Sequence, residues 1–124
     1  MNKNWNIIGA LFAFLAVVLG AFGAHGLESR VTPHLLEIFK TAAYYQMVHS
    51  IALLILGLRP QTPGRRVLTN LAGWLFVAGI VVFSGSLYTL VFTENLAWGR
   101  VTPLGGLCFM AGWLVLVGAE FKKP

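Results

Sequence analysis

The sequence predicts an all-α integral membrane protein, a four-transmembrane-helix bundle, and two observations carry that prediction. Four charge-free apolar stretches, about 5–24, 41–58, 67–92 and 101–119, fill most of the 124 residues. Each is long enough to cross a hydrocarbon layer of about 30 Å as a helix rising about 1.5 Å per residue. Composition agrees: 57% hydrophobic residues, 10% charged residues and a mean hydropathy of +0.76 leave too little polar surface for a soluble globule. Residues 1–124 read as a single transmembrane domain.

The first span follows Lys3, and Ala21-Phe22-Gly23 imitates the cleavage site of a leader peptide. Ala16, Gly20 and Ala24 instead put small residues on one helix face, suited to packing against a neighbour, so the segment is read as a retained span. Thr32-Pro33 pairs a capping hydroxyl with a proline at the first helical position, which opens the second helix at residue 33 and extends it outward from its span. Its first turns are amphipathic, with Leu35, Leu36 and Phe39 on one side and His34, Glu37 and Lys40 on the other. Residues 59–66, rich in proline and glycine, read as a loop that no helix crosses. Thr102-Pro103 marks the start of the fourth helix in the same way as Thr32-Pro33. Because Arg30-Val31-Thr32-Pro33 recurs as Arg100-Val101-Thr102-Pro103, two related helical hairpins are a candidate origin of the four spans.

Polar groups inside the spans are the functional clue, since an unsatisfied polar group in hydrocarbon costs several kcal/mol. Gln46, His49 and Ser50 lie roughly 8 to 14 Å below the outer end of the second span, and Ser84, Ser86 and Tyr88 roughly 6 to 12 Å below that of the third. His25 ends the first span on that side, while Thr102, Gly105 and Gly106 open the fourth there. Thr41, Tyr45 and His49 follow at intervals of four with Gln46 beside them, and that face is expected to look inward. An intramembrane histidine is by default a functional-site hypothesis, and its near-neutral titration suits proton exchange. The opposite half, by contrast, carries no ionisable side chain in any span. A monomeric through-channel, which needs lining groups on both sides of the midplane, is therefore disfavoured.

Four motifs in this layer, Gly20-Ala21-Phe22-Gly23-Ala24-His25-Gly26-Leu27, Thr41-Ala42-Ala43-Tyr44-Tyr45-Gln46-Met47-Val48-His49, Phe83-Ser84-Gly85-Ser86-Leu87-Tyr88 and Thr102-Pro103-Leu104-Gly105-Gly106, carry a family resemblance. Together they resemble the YgdD/YwdK-like family of small membrane proteins, a domain of unknown function, over nearly the whole chain. The resemblance implies a four-helix bacterial inner-membrane protein related to a small mitochondrial-type protein of animals. It implies no reaction and no ligand.

Catalytic chemistry finds little support. His25-Gly26-Leu27-Glu28 and His34-Leu35-Leu36-Glu37 share a metal-ligand spacing, but no aspartate occurs and Glu37 pairs more simply with Lys40, so neither metal nor cofactor is expected. Ser84 or Ser86 with His49 lacks an acid at that depth to orient the imidazole. The stretch 83–86 is read instead as a close-approach surface of the third helix, and the lone Cys108 as a packing residue. Two function classes remain. One is binding or transport of a small polar ligand, proton or lipid headgroup in an outward-facing pocket lined by His25, Tyr45, Gln46, His49, Ser84, Ser86 and Tyr88. The alternative is a structural or assembly subunit, as a homo-oligomer or in a larger membrane complex, where the same groups only specify packing. Membrane lipid is an expected partner in either class.

The net charge of +5 does not indicate nucleic acid, because the basic residues sit at span ends instead of forming one stripe. With alternating spans, six cations (Lys3, Arg59, Arg65, Arg66, Lys122, Lys123) fall on one side and three (Arg30, Lys40, Arg100) on the other. The positive-inside rule then puts both termini in the cytoplasm of a bacterial inner membrane. Reporter fusions at residue 63 and at the carboxyl terminus should both register as cytoplasmic; an external signal at residue 63 would invert the assignment.

Overall fold

Each helix begins at a side-chain cap, at a proline, or on a preceding turn that hands it its first hydrogen bonds. In this computed structural model, which describes residues 2–123, the Asn2 side chain caps the Asn4 amide at 3.1 Å and α1 runs Lys3–Phe22. It continues unbroken through a π-helical turn, Gly23–Leu27. α2 spans Pro33–Leu58, with the Thr32 hydroxyl accepting from the Leu35 amide at 3.3 Å. α3, Pro63–Gly79, passes through a second π-helical turn, Ile80–Ser84, into α4, Gly85–Thr93. A tight 3-10 turn, Leu96–Arg100, leads into α5, Thr102–Glu120. The result is four helical rods long and apolar enough to cross a membrane: Lys3–Leu27, Pro33–Leu58, Pro63–Thr93 and Leu96–Glu120.

The rods run up and down in sequence order. At one end the Asn2 amide donates to the Gly57 carbonyl at 2.9 Å, Arg59 and Arg65 both pair with Glu120, and Arg65 Nε donates to the Lys122 carbonyl at 3.0 Å. At the other end the rings of Phe22, Phe39 and Phe92 meet at centroid distances of 5.9 to 6.3 Å. The second rod is central: half of its most apolar window is buried, against 17% in the first and fourth. Its first turns bury Leu35, Leu36 and Phe39 and expose His34, Glu37 and Lys40, with Lys40 3.9 Å from Glu37.

Lipid chains are as apolar as leucine, so these rods associate through close packing more than through hydrophobic exclusion. Gly9, Ala16 and Gly23, seven residues apart, form the packing stripe of the first rod; a Cβ on Gly9 would stand 2.9 Å from the Ser50 carbonyl oxygen and the Leu54 amide nitrogen of α2. Between the third and fourth rods, Phe109 fills the space over Gly79, Phe76 that over Gly112, and Phe83 lies against Gly105. Gly79 and Gly112 make room for rings from the facing helix, and Gly105 for the backbone at Phe83.

Several sequence expectations are corrected. Helix α3 starts at Pro63, so the break is confined to 59–62; Pro63 takes the first helical turn as Pro33 does, but the Thr62 hydroxyl, unlike that of Thr32, makes no capping bond. Thr102 caps nothing, because the 3-10 turn before it already supplies α5 with its first bonds and the hydroxyl turns to Ser86 instead. Of the stripe at 16, 20 and 24 only Ala16 is buried, and neither Gly20 nor Gly85 has a neighbour in front of it. The close approaches fall on other glycines.

Replacing Gly9 by alanine should lower stability in detergent by about 1–3 kcal/mol, since backbone has to move. Gly20→Ala should leave it unchanged or raise it by up to about 1 kcal/mol through helix propensity. Equal thermal shifts for the two variants would show that α1 does not pack through the Gly9 face.

Candidate functional site

The polar layer is built outward from α2. Ala42, Gln46, His49, Ser50 and Leu53 are its buried face, so Gln46 and Ser50 sit one turn apart and Ser50 Oγ donates to the Gln46 carbonyl at 2.5 Å. The Gln46 side chain spans two helix interfaces: Nε2 donates to the Phe12 carbonyl of α1 at 2.9 Å, and Oε1 accepts from the Tyr88 hydroxyl of α4 at 2.7 Å. Both ends of the amide are thereby satisfied, and the first and third rods are tied to the second.

The imidazole of His49 is satisfied in the same manner. Nδ1–H donates to the Tyr45 carbonyl at 2.7 Å, and Nε2 accepts from the indole Nε1–H of Trp113 at 3.1 Å. The ring stacks on Phe109 with centroids 3.5 Å apart and planes 7° apart, and Phe76 meets it at 5.4 Å. Because an indole only donates and a carbonyl only accepts, these partners define one neutral tautomer. A proton added at Nε2 would face the Trp113 donor.

The third rod contributes on two sides. Ser84 closes the π-helical turn and donates to the Ala42 carbonyl of α2 at 2.8 Å, while Ser86, two residues on and turned toward α5, lies 2.6 Å from the Thr102 hydroxyl. Ser86 also donates to the Phe83 carbonyl at 2.9 Å. Neither serine bonds to His49.

Of the seven residues singled out from sequence, Gln46, His49, Ser84, Ser86 and Tyr88 come together in this layer. His25 is exposed on the π-helical turn of the first rod, and none of the layer's hydrogen bonds reaches it. Tyr45 does not look inward as expected, and neither does Thr41; Tyr45 is 40% exposed at the rim of a lateral groove of about 440 Å³ between α2 and α5. The spacing of four that joins them to His49 turns away from the centre because Gln46 and Ala42, one step round the helix, take the innermost positions. Sequence reasoning missed Trp113, Phe109 and the Phe12 carbonyl. Phe109 and Trp113 are four apart, a signal that one face of α5 is aromatic, but nothing in that spacing points to a histidine.

Fold and site define a four-span integral membrane protein whose buried polar side chains bond one another across the helices. The chain belongs to the family described as "Protein of unknown function (DUF423)", which matches residues 19–106. It is 50% identical over 120 residues to a UPF0382 membrane protein of Staphylococcus aureus and equally to one of Staphylococcus epidermidis, covering 97% of both chains in each case. The Staphylococcus haemolyticus UPF0382 membrane protein is 46% identical over the same share. No solved structure matches.

The His49 bonding pattern has a spectroscopic consequence. Nitrogen chemical shifts at pH 7 should show a neutral ring protonated at Nδ1; a doubly protonated ring would mean that the Trp113 bond is absent.

Proposed function

We propose that the protein acts as a structural or assembly subunit of the membrane, presenting a rigid four-helix surface to neighbouring chains, with the polar layer serving to hold that surface in one register. The observation that supports this reading is that Gln46, His49, Ser84, Ser86 and Tyr88 each hydrogen-bond within the bundle, so a solute would have to compete with bonds already made. In this proposal both termini face the cytoplasm of the bacterial inner membrane, as the six-to-three distribution of cations favours. The YgdD/YwdK-like resemblance accords with that placement.

A second reading, binding of a small amphiphile, is favoured by the lateral groove, where Tyr45, His49 and Trp113 line a space of about 440 Å³ open toward lipid. The two readings part on how stability and function move together. Gln46→Leu strands the Tyr88 hydroxyl, which costs about 1–3 kcal/mol. In a packing network, thermal stability in detergent and the ability to complement a strain lacking the gene should therefore fall together for Gln46→Leu, His49→Leu and Ser84→Ala. A His49→Leu protein that keeps or gains stability while losing complementation would replace the assembly reading with the binding one.

A further inference from the structure

A second cleft, of about 490 Å³, opens between α1 and α3 at the end where the chain termini lie, away from the polar layer. Arg66, Asn70 and Trp74 stand on successive turns of α3 and form one wall; Asn4, Trp5 and Ile7 of α1 form the other. The spacing of four aligns the α3 side chains on one face, about 6 Å apart in depth. The cleft thus grades from a guanidinium at its mouth, through an amide, to indole and aliphatic surface below.

Its polar groups are oriented and available. Trp5 Nε1 donates to Asn70 Oδ1 at 3.1 Å, which leaves the Asn70 NH2 as a donor with no hydrogen bond among the described residues. The Trp74 ring meets Trp5 edge-on at 5.4 Å and is 61% exposed. Glu120 is the only acidic side chain at this end among the described residues, and Arg59 and Arg65 occupy it, so Arg66 has no ion-pair partner among those residues. Six cationic side chains here against one acidic one account for the whole formal charge of +5, since Arg30, Lys40 and Arg100 balance Glu28, Glu37 and Glu94 at the opposite end.

We propose that this cleft binds the phosphate-bearing headgroup of an anionic phospholipid, the phosphate at Arg66 and Asn70 and the upper acyl chain along Trp74 and Ile7. A guanidinium recognises phosphate through paired N–H donors, indoles favour the headgroup level, and a local excess of cations attracts anionic lipid. The apolar floor beneath the charged mouth distinguishes a lipid from a free phosphate, which would leave Trp74 and Ile7 unused.

The test takes the full chain in detergent and measures, by native mass spectrometry, retention of phosphatidylglycerol and phosphatidylcholine with identical acyl chains. Phosphatidylglycerol should be retained about five- to tenfold better. Arg66→Gln should remove most of that preference, Arg100→Gln at the opposite end should not, and inorganic phosphate should fail to compete. Equal retention of the two lipids, or a preference that survives Arg66→Gln, would overturn the proposal; displacement by inorganic phosphate would reassign the cleft to a soluble anion. Tryptophan quenching of the unaltered protein by brominated lipids gives a reading independent of any variant. Brominated phosphatidylglycerol should quench more strongly than the phosphatidylcholine, and equal quenching would count against the site.

Discussion

Hydrocarbon offers no hydrogen bonds, and in this bundle that constraint bears hardest on Gln46. A primary amide has donors and acceptors to satisfy, and within hydrocarbon only other parts of the protein can do so. Gln46 meets the requirement by reaching the Phe12 carbonyl with one end and the Tyr88 hydroxyl with the other. Rotating α1 or α4 about its axis, or sliding either by a turn, would break one of those bonds. Individually such bonds in membranes average only about 0.6 kcal/mol, so their value lies in excluding wrong registers more than in total stability.

Close packing between helices fills in what those bonds specify. Rings set over glycines on the facing helix bring the third and fourth rods together, and the Gly9, Ala16, Gly23 stripe does the same for the first and second. His49 belongs to both systems: its edge is hydrogen-bonded to Trp113, and its face lies flat on Phe109. Burying an imidazole in this way costs less than leaving it bare to lipid, and it links α2 to α5, two helices that otherwise leave a groove between them.

The number of spans, the opening of α2 at Thr32-Pro33 and the depth at which polar groups converge were all legible, because each follows from local chemistry or from residue count. Direction around the helix was less so. Thr41 and Tyr45 share a face with His49 by spacing, yet the centre of the bundle lies toward Ala42 and Gln46, a choice set by which neighbours pack on α2. His25 was grouped with the layer by depth alone, and depth does not record that its side chain turns outward. Glycines were legible as small but not as occupied: Gly9 and Gly20 look alike in sequence, and only the partner helix makes the first of them indispensable. The pairing of the polar layer was likewise beyond reach, since most of the partners are backbone carbonyls or aromatic donors.

The two π-helical turns bear on helical phase. In the first rod the buried series Trp5, Gly9, Ala16, Gly23 and Leu27 runs over 22 residue steps, and in the third the buried series from Thr69 to Val91 also runs over 22. Over six turns that is about 3.67 residues per turn, more than the α-helical 3.6, and the surplus amounts to about 40° of rotation. A π turn holds more residues than an α turn, so one such turn in each rod takes up the excess without supercoiling the whole bundle. Leu27, at the end of the first, and Leu90 and Val91, beyond the second, therefore arrive together on Phe39. The end of the molecule away from the termini is closed by backbone pitch as much as by side-chain choice.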